Sequence, residues 1–83
     1  MATPELLWKA RPFSSLTLTE LYGLLQLRQR VFVVEQRCAY LDADGWDRQA
    51  DHLWLEDGDA AVACLRLFGP GVRHTEACLG RIV

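Results

Sequence analysis

Glu35 is the residue of this chain best suited by its surroundings to move a proton. It follows Val31-Phe32-Val33-Val34, four β-branched or aromatic residues. A carboxylate beside an apolar wall loses hydration, which raises its pKa toward the range of a general base. The plainer reading is a helix-end carboxylate, on the surface or paired with Arg28. Arg28 sits on the otherwise apolar face of the same segment and needs acceptors, because an unpaired buried guanidinium is costly. Glu35, Asp42 or Asp44 can reach back to supply them. The pair either fixes a helix-to-loop corner or lays a polar floor under a substrate cleft.

Other chemistries fit less well. Asp42-x-Asp44-Gly45-x-Asp47 has the clustered oxygens that a hard cation wants. An EF-hand loop places glycine at its sixth position and glutamate at its twelfth. Counted from Asp42, glycine falls fourth and the twelfth residue is Leu53, so no metal site is expected. No Gly-rich phosphate cradle of P-loop or Rossmann type is present, and Gly69-Pro70-Gly71 reads as a turn. Cys38, Cys64 and Cys78 match no zinc or redox spacing and read as reduced thiols of a cytoplasmic protein. A thiol nucleophile would have only His52 or His74 as its base.

Nine basic and eleven acidic residues give a net charge of −2, which leaves no electrostatic footprint for nucleic acid. Seven acids and one base, Arg48, fall between Asp42 and Asp59. Such a stretch is a solvated loop and hairpin end, or it attracts a cationic acceptor such as an amine. No run approaches the roughly 18 apolar residues that span a bilayer, and the first residues show no signal-peptide pattern.

The elements that must position these groups follow from periodicity and punctuation. Glu5 to Arg11 predicts a strand, ended by Pro12. Thr17-Leu18-Thr19-Glu20 has capping-box spacing and places a helix start at Thr17. Leu18, Leu21, Leu25, Arg28 and Phe32 recur at helical spacing, flanked by Tyr22, Leu24 and Val31, and the helix should fade around Val33. Gly23 inside it costs roughly 1 kcal/mol against Ala, which implies close packing there. Residues 38–50 read as a long ordered loop. His52 to Glu56 and Ala60 to Phe68 predict strands joined at Asp57-Gly58-Asp59, and Ala77 to Val83 begins another. With no repeat and no linker, residues 1–83 read as one unit of order β–α–loop–β–β–β. At 83 residues and 51% hydrophobic, the chain is small and apolar enough to expect faces covered by something else, a missing half or a second copy.

Leu27 to Gln36 (Leu-Arg-x-x-Val-Phe-Val-Val-Glu-Gln), Tyr40-x-Asp42-x-Asp44-Gly45, Asp51-His52 and Gly80-Arg81-Ile82-Val83 occur in an order that resembles the N-terminal half of ElaA-like GNAT N-acetyltransferases. The resemblance implies an α/β fold, a mixed twisted sheet with helices on both faces, and acetyl transfer from acetyl-CoA to an amine. Together with the residue reading above, this makes Glu35 the expected catalytic base, with Arg28, Gln36, Tyr40, Asp42 and Asp44 expected on the acceptor side. Ile82 and Val83 would meet the cofactor, where backbone N–H groups near the end of the fourth strand polarise the thioester carbonyl. In the family, the loop that holds the pyrophosphate follows that strand, so these residues read as the acceptor-side half, expected to be an oligomer or to need its other half. Arg-x-x-Val-Phe is also similar to acyl-homoserine-lactone synthases, which share the fold, but the Val33-Val34-Glu35-Gln36 continuation fits the ElaA-like pattern better. From another class comes a non-catalytic module that pairs through an open strand edge.

Overall fold

The computed structural model describes residues 6–83. Its strand β1 runs Leu6–Pro12, so the Glu5 at which the first strand was expected to begin lies outside the described residues. Pro12 ends the strand and a short 3-10 turn, Phe13–Ser15, leads away from it. Thr17 then caps helix α1, Leu18–Arg28. The Glu20 N–H donates to Thr17 Oγ1 at 3.1 Å, and the Thr17 N–H donates to Glu20 Oε1 at 2.9 Å. Two otherwise orphaned amides are thereby satisfied, as the Ser/Thr-x-x-Glu spacing predicts.

Helical structure does not fade at Val33. It changes type, continuing as a π-helical segment over Gln29–Glu35. The Gln36 N–H reaches Val31 O at 2.8 Å, the Cys38 N–H reaches Phe32 O at 2.7 Å, and Arg37 takes a left-handed φ of 54° that ends the segment. The buried face also differs from the expected one. Leu24, Leu27, Arg28 and Phe32 are buried, whereas Leu18 is 87% exposed and Tyr22 is exposed as well. Leucines lie all round this helix, so spacing alone does not select the stripe; Trp54 and Cys64 of the sheet do, by packing on Leu24 and Leu27. Close packing at Gly23 is likewise corrected. A Cβ built there would meet nothing within 4 Å.

Strands β2 (Asp51–Asp57), β3 (Ala60–Phe68) and β4 (Cys78–Gly80) complete an antiparallel sheet of order β1-β2-β3-β4. Gly58, at φ 62°, supplies the positive dihedral that the tight β2–β3 turn requires. Between Leu55↔Ala63 and Glu56↔Ala61 the register slips, leaving Val62 as the extra residue of a bulge. Cys64, Arg66 and Phe68 consequently face α1 and the 38–50 loop, where all three are buried.

The fourth strand is shorter than its expected span of Ala77 to Val83. Gly80 pairs with Arg66, but the next ladder bond joins the Val83 N–H to Cys64 O at 3.0 Å. Three steps along one strand thus match two along the other. The extra residue is accommodated by Arg81, whose φ of 51° lies in the left-handed region. That conformation costs an L-residue on the order of 1–2 kcal/mol, so something must hold it. Among the described residues, no helix is long and apolar enough to cross a membrane.

Candidate functional site

Arg28, at the last turn of α1, is 2% exposed. Its Nη1 lies 2.7 Å from Asp47 Oδ1 and its Nε 3.2 Å from Asp42 Oδ2, and its Nη2 donates to Asp42 O at 2.8 Å. Glu35 is not among its partners, and neither is Asp44. The π-helical segment carries Glu35 away to the surface, and the loop brings Asp47 in instead.

Asp47 also accepts from Arg66 Nη1 at 3.0 Å, and Arg66 reaches Asp44 through two bonds of 2.8 and 2.7 Å. Arg81 then joins Asp44 Oδ2 at 3.2 Å to Asp42 Oδ1 at 2.9 Å, and Asp42 returns to Arg28. The six side chains form a closed ring of alternating sign: Arg28, Asp47, Arg66, Asp44, Arg81, Asp42. Three guanidiniums and three carboxylates sum to zero charge, which is what makes their shared burial affordable. The hydrogen bonds from Arg66 hold the Asp44 carboxyl well below the usual carboxylate range, and the same bonds raise Arg66 above its ordinary value.

The ring ties four elements together: the end of α1, the 42–47 loop, β3 and the bulged end of β4. Neighbouring groups lean on it. His52 is buried with its Nε2 2.8 Å from Asp47 O, and Arg81 lies over the Tyr40 ring at 4.8 Å. Trp46 meets Phe68 edge-on at 6.1 Å, and Arg73 stacks on both rings, at 5.1 and 5.6 Å. Partial desolvation raises the Tyr40 hydroxyl above its ordinary pKa, with Arg81 pulling the other way.

The residues expected to form the site therefore separate into two groups. Arg28, Asp42 and Asp44 come together inside the ring, with Tyr40 on its rim. Glu35 and Gln36 lie exposed on and just beyond the π-helical segment, beside the exposed Val33 and Val34. No apolar wall covers Glu35, contrary to the expectation drawn from Val31 to Val34. Among the described residues it makes no ion pair. Ile82 is exposed, while Val83 packs against the core cluster. Of the seven acids from Asp42 to Asp59, three are neutralised in the ring, which shrinks the field available to attract a cation. Cys64 is buried, which pushes its thiol up to about 11; its nearest polar partner is Arg81 O at 3.9 Å.

Sequence reasoning passed over Asp47, Arg66 and Arg81 as ring partners. The signal for Arg66 was available. It alternates with Cys64 and Phe68 on one face of a strand, and a guanidinium at a core position demands carboxylates.

No family model matches the chain. A UPF0039 protein of Synechocystis is 42% identical over 80 residues, covering 95% of this chain and 52% of that protein. ElaA of Escherichia coli strain K12 is 38% identical over 78 residues, 92% of this chain and 51% of its own. The chain spans about half the length of the relatives it matches. Among solved structures, an acyl-CoA N-acyltransferase from Pseudomonas aeruginosa superposes with a TM-score of 0.89 at 42% identity, covering 95% of this chain and 56% of that one. Escherichia coli ElaA superposes at 0.87 with 36% identity, covering 95% and 55%. Over that half, the chain is ElaA-like in sequence and has the fold of the GNAT acyl-CoA N-acyltransferases.

Proposed function

We propose that the chain forms the acceptor-side part of an acyl-CoA N-acyltransferase that moves an acetyl group from acetyl-CoA to an amine. The observation that carries this reading is the superposition on the Pseudomonas acyl-CoA N-acyltransferase across 95% of the chain. In the reaction, the amine nitrogen attacks the thioester carbon, the C–S bond breaks, and the coenzyme leaves as its thiol. The amine must give up a proton on the way. Glu35, exposed at the end of the π-helical segment, is open to an acceptor and is assigned that proton.

The bulged end of β4, with Ile82 and Val83, receives the acyl end of the donor. The Val83 N–H is already bonded to Cys64 O, so the Ile82 N–H is assigned to the developing oxyanion. Gln36 and Tyr40 border the acceptor side. Arg28, Asp42 and Asp44 hold one another, so they shape the cleft and do not touch the substrate. A second copy or a separate polypeptide is proposed to cover the opposite sheet face, where Leu6, Trp8, Val62 and Leu79 are exposed.

The test is release of free coenzyme A from acetyl-CoA by the protein in its full-length form, across a panel of primary amines. Amine-dependent release supports the reading. Acetyl-CoA that stays intact with every amine overturns it.

A further inference from the structure

Arg81 closes the ion ring from a backbone conformation that L-residues seldom adopt. Its φ is 51°, and it is the extra residue between Gly80, opposite Arg66, and Val83, bonded to Cys64. Its guanidinium makes three polar contacts, to Asp42 Oδ1 at 2.9 Å, Asp42 O at 3.1 Å and Asp44 Oδ2 at 3.2 Å. Those aspartates are not free loop residues. Asp42 is gripped by Arg28 of α1 and Asp44 by Arg66 of β3. The anchor for the strand end is therefore rooted in the helix and in the centre of the sheet.

We infer that Arg81 is a positioning residue: its bridge to Asp42 and Asp44 holds the left-handed turn that bulges the end of β4 and so sets the direction of the Ile82 peptide N–H. The side chain does from a distance what a glycine would do by freedom alone. Glycine would permit the turn; the anchored arginine selects it. The last step, that this N–H faces the acyl carbonyl, rests on the acyl-transfer reading above. The first step does not.

The two steps are tested separately. On the purified chain, NMR reads the φ-dependent coupling of residue 81 and the hydrogen-exchange protection of the Val83 amide, with the Trp54 and Phe68 amides as controls for the intact sheet. Arg81→Ala is expected to leave the left-handed region and lose Val83 protection on the order of tenfold, the scale of the backbone penalty released. Arg81→Gly keeps the turn and most of the protection without the anchor. Arg81→Lys, a point charge that cannot bridge two carboxylates, loses the protection while the controls hold. Should the alanine variant fail to fold, the glycine and lysine variants decide. Lysine at wild-type protection, or alanine with an unchanged coupling, overturns the inference.

In full-length protein that transfers acyl groups, Arg81→Lys is expected to lower kcat by about 10²-fold, the scale of a misplaced reacting group, while KM for the amine stays nearly constant. An ion pair serving stability alone would instead lower the melting temperature and leave kcat in place, which also overturns the inference. A wild type without transfer overturns the functional reading and leaves the NMR result standing.

Discussion

Two clusters of functional-looking residues lie within fifteen positions of each other and meet opposite fates. The Arg28–Asp42–Asp44 set is drawn inside, joined by Asp47, Arg66 and Arg81 into a neutral ring. The Val33–Gln36 set stays outside, with Val34 69% exposed although it is apolar. The difference comes from helix type. An α-helical continuation would keep Phe32, Glu35 and Gln36 on the rows that begin at Arg28. The π-type bond from Gln36 to Val31, followed by the wider i−6 bond from Cys38 to Phe32, shifts those rows and turns Glu35 toward solvent. π-helical turns concentrate at functional sites, and here one divides buried charges that set shape from an exposed carboxylate that can meet a substrate.

The comparison breaks most visibly in the ring. Arg66→Met removes a guanidinium that is 2% exposed and leaves Asp44 and Asp47 short of countercharge. Breaking a buried pair from one side costs about 3–5 kcal/mol, much of what a small domain has. Urea denaturation should show a large fall in midpoint, or no folded baseline at all. A midpoint close to wild type would mean that the ring is hydrated and does not hold the elements together.

Glu35→Gln should do the reverse. It removes charge from an exposed position, where substitutions usually move stability by no more than about 0.5 kcal/mol. In the acyl-transferring protein, turnover should fall by about 10²-fold, the usual scale of a general base. An unchanged rate would take the proton away from Glu35 and assign it elsewhere.

Acid should act on the ring through Asp44. Its folded pKa lies below the ordinary aspartate value, with the Arg66 hydrogen bonds as the main cause. A depressed carboxylate contributes stability that is present above its unfolded pKa and lost as pH falls through the folded one. The melting temperature should therefore hold near neutrality and begin to drop below about pH 4, the ordinary Asp value. Asp44→Asn should start lower and show a flatter acid limb. Equal acid limbs in the two proteins would place the sensitivity on other carboxylates.

How far the chain was readable follows the range of the forces involved. The capping box at Thr17 and the span of β3 came straight from local spacing, because caps, turns and alternation act within a few residues. Arg28, Asp42 and Asp44 stood out by chemistry, but their pairing depends on residues 14 to 39 positions apart. Nothing local states that distance. The π-helical segment was illegible because a shift from i−4 to i−5 bonding leaves no residue signature. β4 was read too long because Gly80-Arg81-Ile82-Val83 has strand composition; the left-handed turn at Arg81 appears only once Asp42 and Asp44 are in place to hold it.

The smallest expected effect sharpens the contrast between sealed and open sides. Gly23 lies mid-helix in α1, one residue before the buried Leu24, yet a Cβ there meets nothing within 4 Å. It borders open clefts lined by Glu20, Trp54, Glu56, Asp59 and Ala61. Glycine inside a helix costs about 0.5–1 kcal/mol relative to alanine, through the freedom it retains when unfolded. Gly23→Ala should therefore raise stability by about that amount, visible as a modest increase in urea midpoint with the slope unchanged. If the flank of α1 instead receives a second copy or another polypeptide, the added methyl group would meet it. The variant would then gain stability as a dilute monomer and lose it in the assembled protein. Loss of stability in the dilute chain itself would show that Gly23 is packed after all, and that the side taken here as open is sealed like the ring.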